Sequence, residues 1–154
     1  MESFCDEATA FHEAGHAAVA MALDRPVHRV SVIPGQDLLG ECRFGKGVFR
    51  PTEDWVEREI LIALAGMAAE ARHTGTYDRG AADRDLRYAR RLAIDRVGVR
   101  QADRLERRML AKVENLLADD GVWLAVERVA AELIKCGSIS GRAARHLYDQ
   151  ANPE

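Results

Sequence analysis

Cysteine is scarce in this sequence: Cys5, Cys42 and Cys136 are odd in number and far apart. They build no disulfide framework, and without a Cys-x-x-Cys pair they offer no thiolate zinc site, so a reducing compartment is expected. Long apolar runs are also missing. The longest, Ile60 to Ala69, has ten residues including Gly66, well short of the roughly 20 that a membrane-spanning helix needs. The opening residues, Met-Glu-Ser-Phe-Cys-Asp-Glu, are acidic where a secretory leader is basic, which argues against that kind of export signal. Nor is there an excess of positive charge: the formal net charge is −3, so nothing draws the whole chain toward nucleic acid or anionic lipid. The expectation is a soluble cytoplasmic chain with neither a nucleic-acid nor a membrane partner.

What is present suffices for one domain. The 154 residues are 47% hydrophobic and 31% charged, enough for a single core spanning residues 1–154. From Val27 to Phe49 the sequence reads as strand and turn: Val27, Val30, Val32 and Ile33 precede Pro34-Gly35, and Gly40, Gly45 and Gly47 punctuate the next run. The rest reads as helix. A first helix is expected over Glu7 to Leu23, stopped by Pro26. A second begins after Pro51, with Thr52 as N-cap, and ends near Gly75, a natural left-handed cap. Further helices are expected at Asp83 to Val97, Ala102 to Leu117 and Val122 to Cys136, with a short one capped by Ser140 and running through Tyr148. The fold class is therefore mainly α (α+β), with a small β element after the first helix.

The strongest chemical signal lies in the first helix. Phe11-His12-Glu13-Ala14-Gly15-His16 contains His-Glu-x-x-His, and residues four apart share one helix face. Both imidazoles can therefore reach one divalent ion, while Glu13 lies beside the first ligand and can act as a proton acceptor for a water. Shuffling this composition produces the pattern in about one per cent of sequences. Gly15 costs roughly 1 kcal/mol against alanine in mid-helix, a cost that close approach of another backbone or a substrate would justify. With no cysteine pair to close a structural site, an open catalytic zinc centre is favoured.

Several blocks together resemble the peptidase domain of the FtsH-type ATP-dependent zinc metalloproteases. They are Phe11 to Ala17; Pro26 to Pro34; Leu39-Gly40-Glu41; Leu64 to Glu70; Gly80-Ala81 followed by Asp85-Leu86-x-x-Ala89; and Ser138-Ile139-Ser140-Gly141. The resemblance implies a helical, zincin-like peptidase domain with a short β segment bordering the cleft. It also implies a third zinc ligand, an Asp on a later helix. Asp85 fits the Asp-Leu-x-x-Ala pattern. The family's spacing falls on Arg84, so Asp83 is the alternative, with helix N-cap as its other role. No Gly-x-x-x-x-Gly-Lys-Ser/Thr loop occurs, since Gly45-Lys46-Gly47 lacks the spacing and the hydroxyl. The expected activity is hydrolysis of peptide bonds in unfolded or flexible protein segments, without ATPase activity of the chain's own; a separate ATPase or adaptor partner would supply unfolding.

In that reading Zn2+ is held by His12, His16 and Asp85, Glu13 is the catalytic base, and a strand near Leu38 to Phe44 pairs with extended substrate. Monomer, dimer and ring all remain open. His28, His73 and His146 read as isolated surface or helix-end histidines, Glu70 as either an orienting carboxylate or a solvated one, and Cys42 as unactivated. The segment Arg84 to Arg108 holds nine Arg against four acids. It supports the competing expectation of a catalytically silent zinc-containing module that docks on a protein or nucleic-acid partner.

Overall fold

The computed structural model describes residues 5–33, 41–44 and 54–153, with the side chains of 41–44 left aside. Among these residues six helices and three short strands follow the order α1 (Glu7–Ala22), β1 (Val27–Ser31), β2 (Glu41–Phe44), α2 (Trp55–Thr74), α3 (Asp83–Val97), α4 (Val99–Leu117), α5 (Asp120–Cys136), β3 (Ser138–Ser140) and α6 (Gly141–Ala151). The fold is mainly α, as the composition and periodicity lead one to expect.

Helix α1 is the axis of the molecule. Asp6 caps it, its carboxylate accepting the Thr9 N–H at 2.8 Å. Every residue from Ala10 to Met21 is buried, because α1 is packed by α2 on one side and α5 on another. Small side chains make this possible: Ala10, Ala14, Ala17, Ala18 and Ala20 are fully inaccessible. At Gly15 a Cβ would lie 2.4 Å from Ala69 Cβ and 2.7 Å from Ala65 O. The missing side chain is therefore what lets α2 lie against α1, and the helix cost of this glycine is offset by packing.

Helix α2 is capped by Asp54, whose side chain accepts the Glu57 N–H at 3.0 Å. The cap expected at Thr52 lies outside the described residues. The far end closes as expected, with Gly75 left-handed at φ 90°. Helices α3 and α4 form a hairpin packed on α2, so the start of α3 falls beside the middle of α1. Ala82, not Asp83, is the N-cap of α3, and it makes no side-chain cap bond. Ser140 caps α6 as expected, accepting the Ala143 N–H at 3.1 Å.

The β element is a three-stranded antiparallel sheet in the order β2-β1-β3. Its first two strands fall in the expected region. The third, Ser138–Ser140, was not evident from sequence: three residues between two helices carry no period-2 signal. It pairs Val30 with Ile139, and both apolar side chains join the core. Among the described residues no helix is long and apolar enough to cross a membrane.

Candidate metal centre

One turn of α1 carries His12, Glu13 and His16, each buried at 6–8% exposure. The two imidazoles meet edge to face, with centroids 4.9 Å apart and planes at 78°. His16 is fixed from α2: its Nδ1–H donates to the Ile62 carbonyl at 2.7 Å, which directs Nε2 the other way. Gly66, one turn further along α2, lies under both rings. A Cβ there would fall 2.4 Å from His16 Nε2 and 2.7 Å from His12 Nε2. The helix face is shaped as a cradle that any side chain would fill.

The third group arrives from α3. Asp85 Oδ2 lies 2.9 Å from His12 Nε2 and 3.0 Å from His16 Nε2. Asp83, two residues earlier, turns outward, where it pairs with Arg87 at 3.1 Å and is exposed. The structure thus brings His12, His16 and Asp85 together and leaves Asp83 outside. Their ligand atoms lie within 4.8 Å of one another. Ligands around tetrahedral zinc stand about 3.4 Å apart, given bonds of about 2.0–2.1 Å. Two imidazoles and one carboxylate are a donor set that suits zinc, so the residues fit the ion, and three protein ligands would leave its fourth position to water.

The electrostatics of the trio follow from shared protons. Burial disfavours ionisation of Asp85, but the adjacent His16 charge and hydrogen bonds from both imidazoles hold its carboxyl well below the usual carboxylate range. Burial alone would lower His16; the charge and hydrogen bond of Asp85, with Glu13 behind, instead raise it to about 9. Burial, aided by the neighbouring His16, lowers His12 despite its bond to Asp85. Without metal the cationic proton therefore sits on His16.

Glu70 belongs beside this group. It is buried, with its carboxylate oxygen 3.8 Å from His12 Nδ1, so the solvated-face reading of this residue is wrong. Burial, with the charges of Asp78 and Asp6, raises its pKa. His73 is exposed in the last turn of α2, as expected; there it stacks on Phe11 with centroids 3.8 Å apart and hydrogen-bonds Glu7 at 2.8 Å. His28 and His146 are exposed, as expected. Backbone pairing joins Cys42 to Val30. Ile62 and Gly66 escaped the sequence reading as site residues; Gly66 lay inside the Leu64 to Glu70 block, where only its lack of a side chain could have signalled a close neighbour.

Comparisons with known proteins place the chain in a peptidase family. A 90-residue stretch is 37% identical to "ATP-dependent zinc metalloprotease FtsH 3" of Sorangium cellulosum, covering 56% of this chain and 15% of that protein. Over 71 residues it is 44% identical to "ATP-dependent zinc metalloprotease FtsH" of Magnetococcus marinus, covering 40% and 10%. A third relative, FtsH 3 of Symbiobacterium thermophilum, is 36% identical over 99 residues, again covering 56% and 15%. The chain thus spans a small fraction of the length of these relatives. Residues 2–101, which contain both histidines and Asp85, match the description Peptidase family M41, and the chain belongs to that family.

Proposed function

We propose that this chain is a zinc-dependent endopeptidase acting on unfolded or flexible protein segments, with His12, His16 and Asp85 holding the ion and Glu13 as general base. The observation that carries the reading is the convergence of two imidazole nitrogens and one carboxylate oxygen within 4.8 Å, on the helix turn that also bears Glu13. The names of the relatives, zinc metalloproteases, support it.

When bound, zinc supplies a Lewis acid that polarises a scissile carbonyl and lowers the pKa of a water to about 7. The chain's own groups do the rest. Ile62 holds His16 in the tautomer that presents Nε2, and the Glu70 carboxylate, 3.8 Å from His12 Nδ1, favours a proton on that nitrogen when Nε2 is ligated. The Glu13 carboxylate accepts the proton of the attacking water and delivers it to the departing amide nitrogen. Among the described residues strand β2 is an edge of the sheet, and its outer side pairs an extended substrate through main-chain hydrogen bonds; the expected start of that strand at Leu38 lies outside the described residues. Flexible or already unfolded segments can enter directly, and a folded substrate would call for an ATPase or adaptor partner in the same cytoplasmic compartment.

The test is incubation of the zinc-loaded chain with an unfolded protein such as reduced casein. Fragments that disappear with a chelator and return with zinc are expected. An intact substrate at full zinc occupancy would refute the enzymatic reading.

A further inference from the structure

Helix α4 carries a basic face that the fold does not use. Arg100, Arg104, Arg107 and Arg108 are all exposed. At 100° per residue they occupy an arc of about 100° opposite the buried Ala102, Leu105, Met109 and Val113. None of the four makes an ion pair among the described residues. The acids of the same helix are all engaged elsewhere: Asp103 and Glu106 pair with Arg90 of α3, and Glu114 accepts the Tyr77 hydroxyl at 2.8 Å. Other arginines of the hairpin are also engaged, Arg87 with Asp83, Arg96 with Asp54 and Arg91 over Tyr88.

The arrangement works against the isolated helix. Arg100 and Arg104, and Arg104 and Arg108, are like charges at i,i+4, and Arg104 and Arg107 at i,i+3, spacings at which repulsion destabilises. Among the described residues the nearest acid of α4, Asp103, at i,i+3 from Arg100 and i,i+4 from Arg107, is paired with Arg90 instead. Four guanidinium groups in one arc form a fork-shaped donor array that suits carboxylates.

We infer that this face of α4 is a docking surface for a carboxylate-rich segment of a partner protein. Charge complementarity identifies the occupant. The chain as a whole is at −3, so its far field repels long polyanions, whereas a short acidic segment meets only the local patch. No aromatic side chain lies in the arc to stack on bases. The apolar face of α4 is committed to the core, leaving none to enter a lipid surface. Helix α4 lies almost wholly beyond residue 101, where the family match ends.

Fluorescence anisotropy of a short labelled poly-glutamate peptide with the full chain tests this, recorded with and without a zinc chelator so that binding is read apart from any peptidase activity. The wild-type chain binds the peptide and releases it as salt rises. Replacing Arg100, Arg104, Arg107 and Arg108 by Gln weakens binding by about tenfold or more. Removing equal charge elsewhere, in R128Q/K135Q/R142Q/R145Q, changes it by less than about twofold. With repulsion relieved, the α4 variant melts at or above the wild-type temperature by circular dichroism. Absence of wild-type binding, equal loss in both variants, or tighter binding of duplex DNA or phosphatidylserine vesicles than of the peptide would overturn the inference.

Discussion

His16 Nδ1 donates to the backbone carbonyl of Ile62 at 2.7 Å, a bond between a residue of the His-Glu-x-x-His turn and the middle of a helix 46 positions later. It fixes the orientation of the His16 ring before any ion arrives, so that Nε2 faces Asp85, and keeps the proton on Nδ1 when Nε2 gives its own up. The arrangement of these donor atoms is thus a property of the α1–α2 contact as well as of the motif.

Gly66 depends on the same contact. In Gly66→Ala the new methyl would lie 2.4 Å from His16 Nε2, while the helix itself gains from alanine. We expect a folded, helical protein whose zinc affinity falls by about 100-fold or more, measured by competition with a chromophoric chelator. Unchanged affinity would show that the rings can move aside.

Gly15→Ala addresses packing. The added Cβ would lie 2.4 Å from Ala69 Cβ and 2.7 Å from the Ala65 carbonyl, so the helices must separate. Overpacking costs about 1–3 kcal/mol, against roughly 1 kcal/mol of helix propensity gained. Denaturant unfolding should show net destabilisation; a more stable variant would mean that α1 and α2 have slack.

Asp83 and Asp85 should behave oppositely. Asp85→Ala removes a group that touches both imidazoles and should abolish stoichiometric zinc binding. Asp83→Ala removes only an exposed pair with Arg87 and should leave zinc content intact and stability within about 0.5 kcal/mol. Metal analysis of the two purified variants distinguishes them.

The protonation of His16 gives a pH signature. Its folded pKa of about 9 exceeds the ordinary 6.5, so its contribution to metal-free stability is complete below 6.5 and is lost as pH rises through about 9. Asp85 is shifted downward from 3.8, so its contribution is present above that value and is lost in acid. The melting temperature of the metal-free chain should therefore fall between about pH 6.5 and 9, and Asp85→Asn should flatten that slope. Zinc must displace the His16 proton, so zinc affinity should rise across the same interval.

The parts legible in the sequence were those set locally. A four-residue spacing on a helix needs only the helix, so His12 and His16 converge as read, and the caps at Gly75 and Ser140 follow from the preferences of single residues. What escaped depends on distant packing. Asp83 and Asp85 are separated by about 200° around one helix, and only the placement of α3 against α1 decides which faces the imidazoles. Gly66 and Ile62 act through contacts with no sequence spacing to announce them. Strand β3 exists because β1 offers it an edge. The N-cap of α2 is Asp54, which the sequence reading placed inside the first turn, the usual uncertainty of a helix start.

The central claim is that Glu13 handles the proton in a zinc site that the other three residues build without it. The most direct measurement is the cleavage rate of an unfolded protein by zinc-loaded Glu13→Gln, with zinc content determined on the same sample. The account predicts full zinc occupancy and a rate lowered by about 10²-fold or more. Cleavage at the wild-type rate with the ion in place would contradict it.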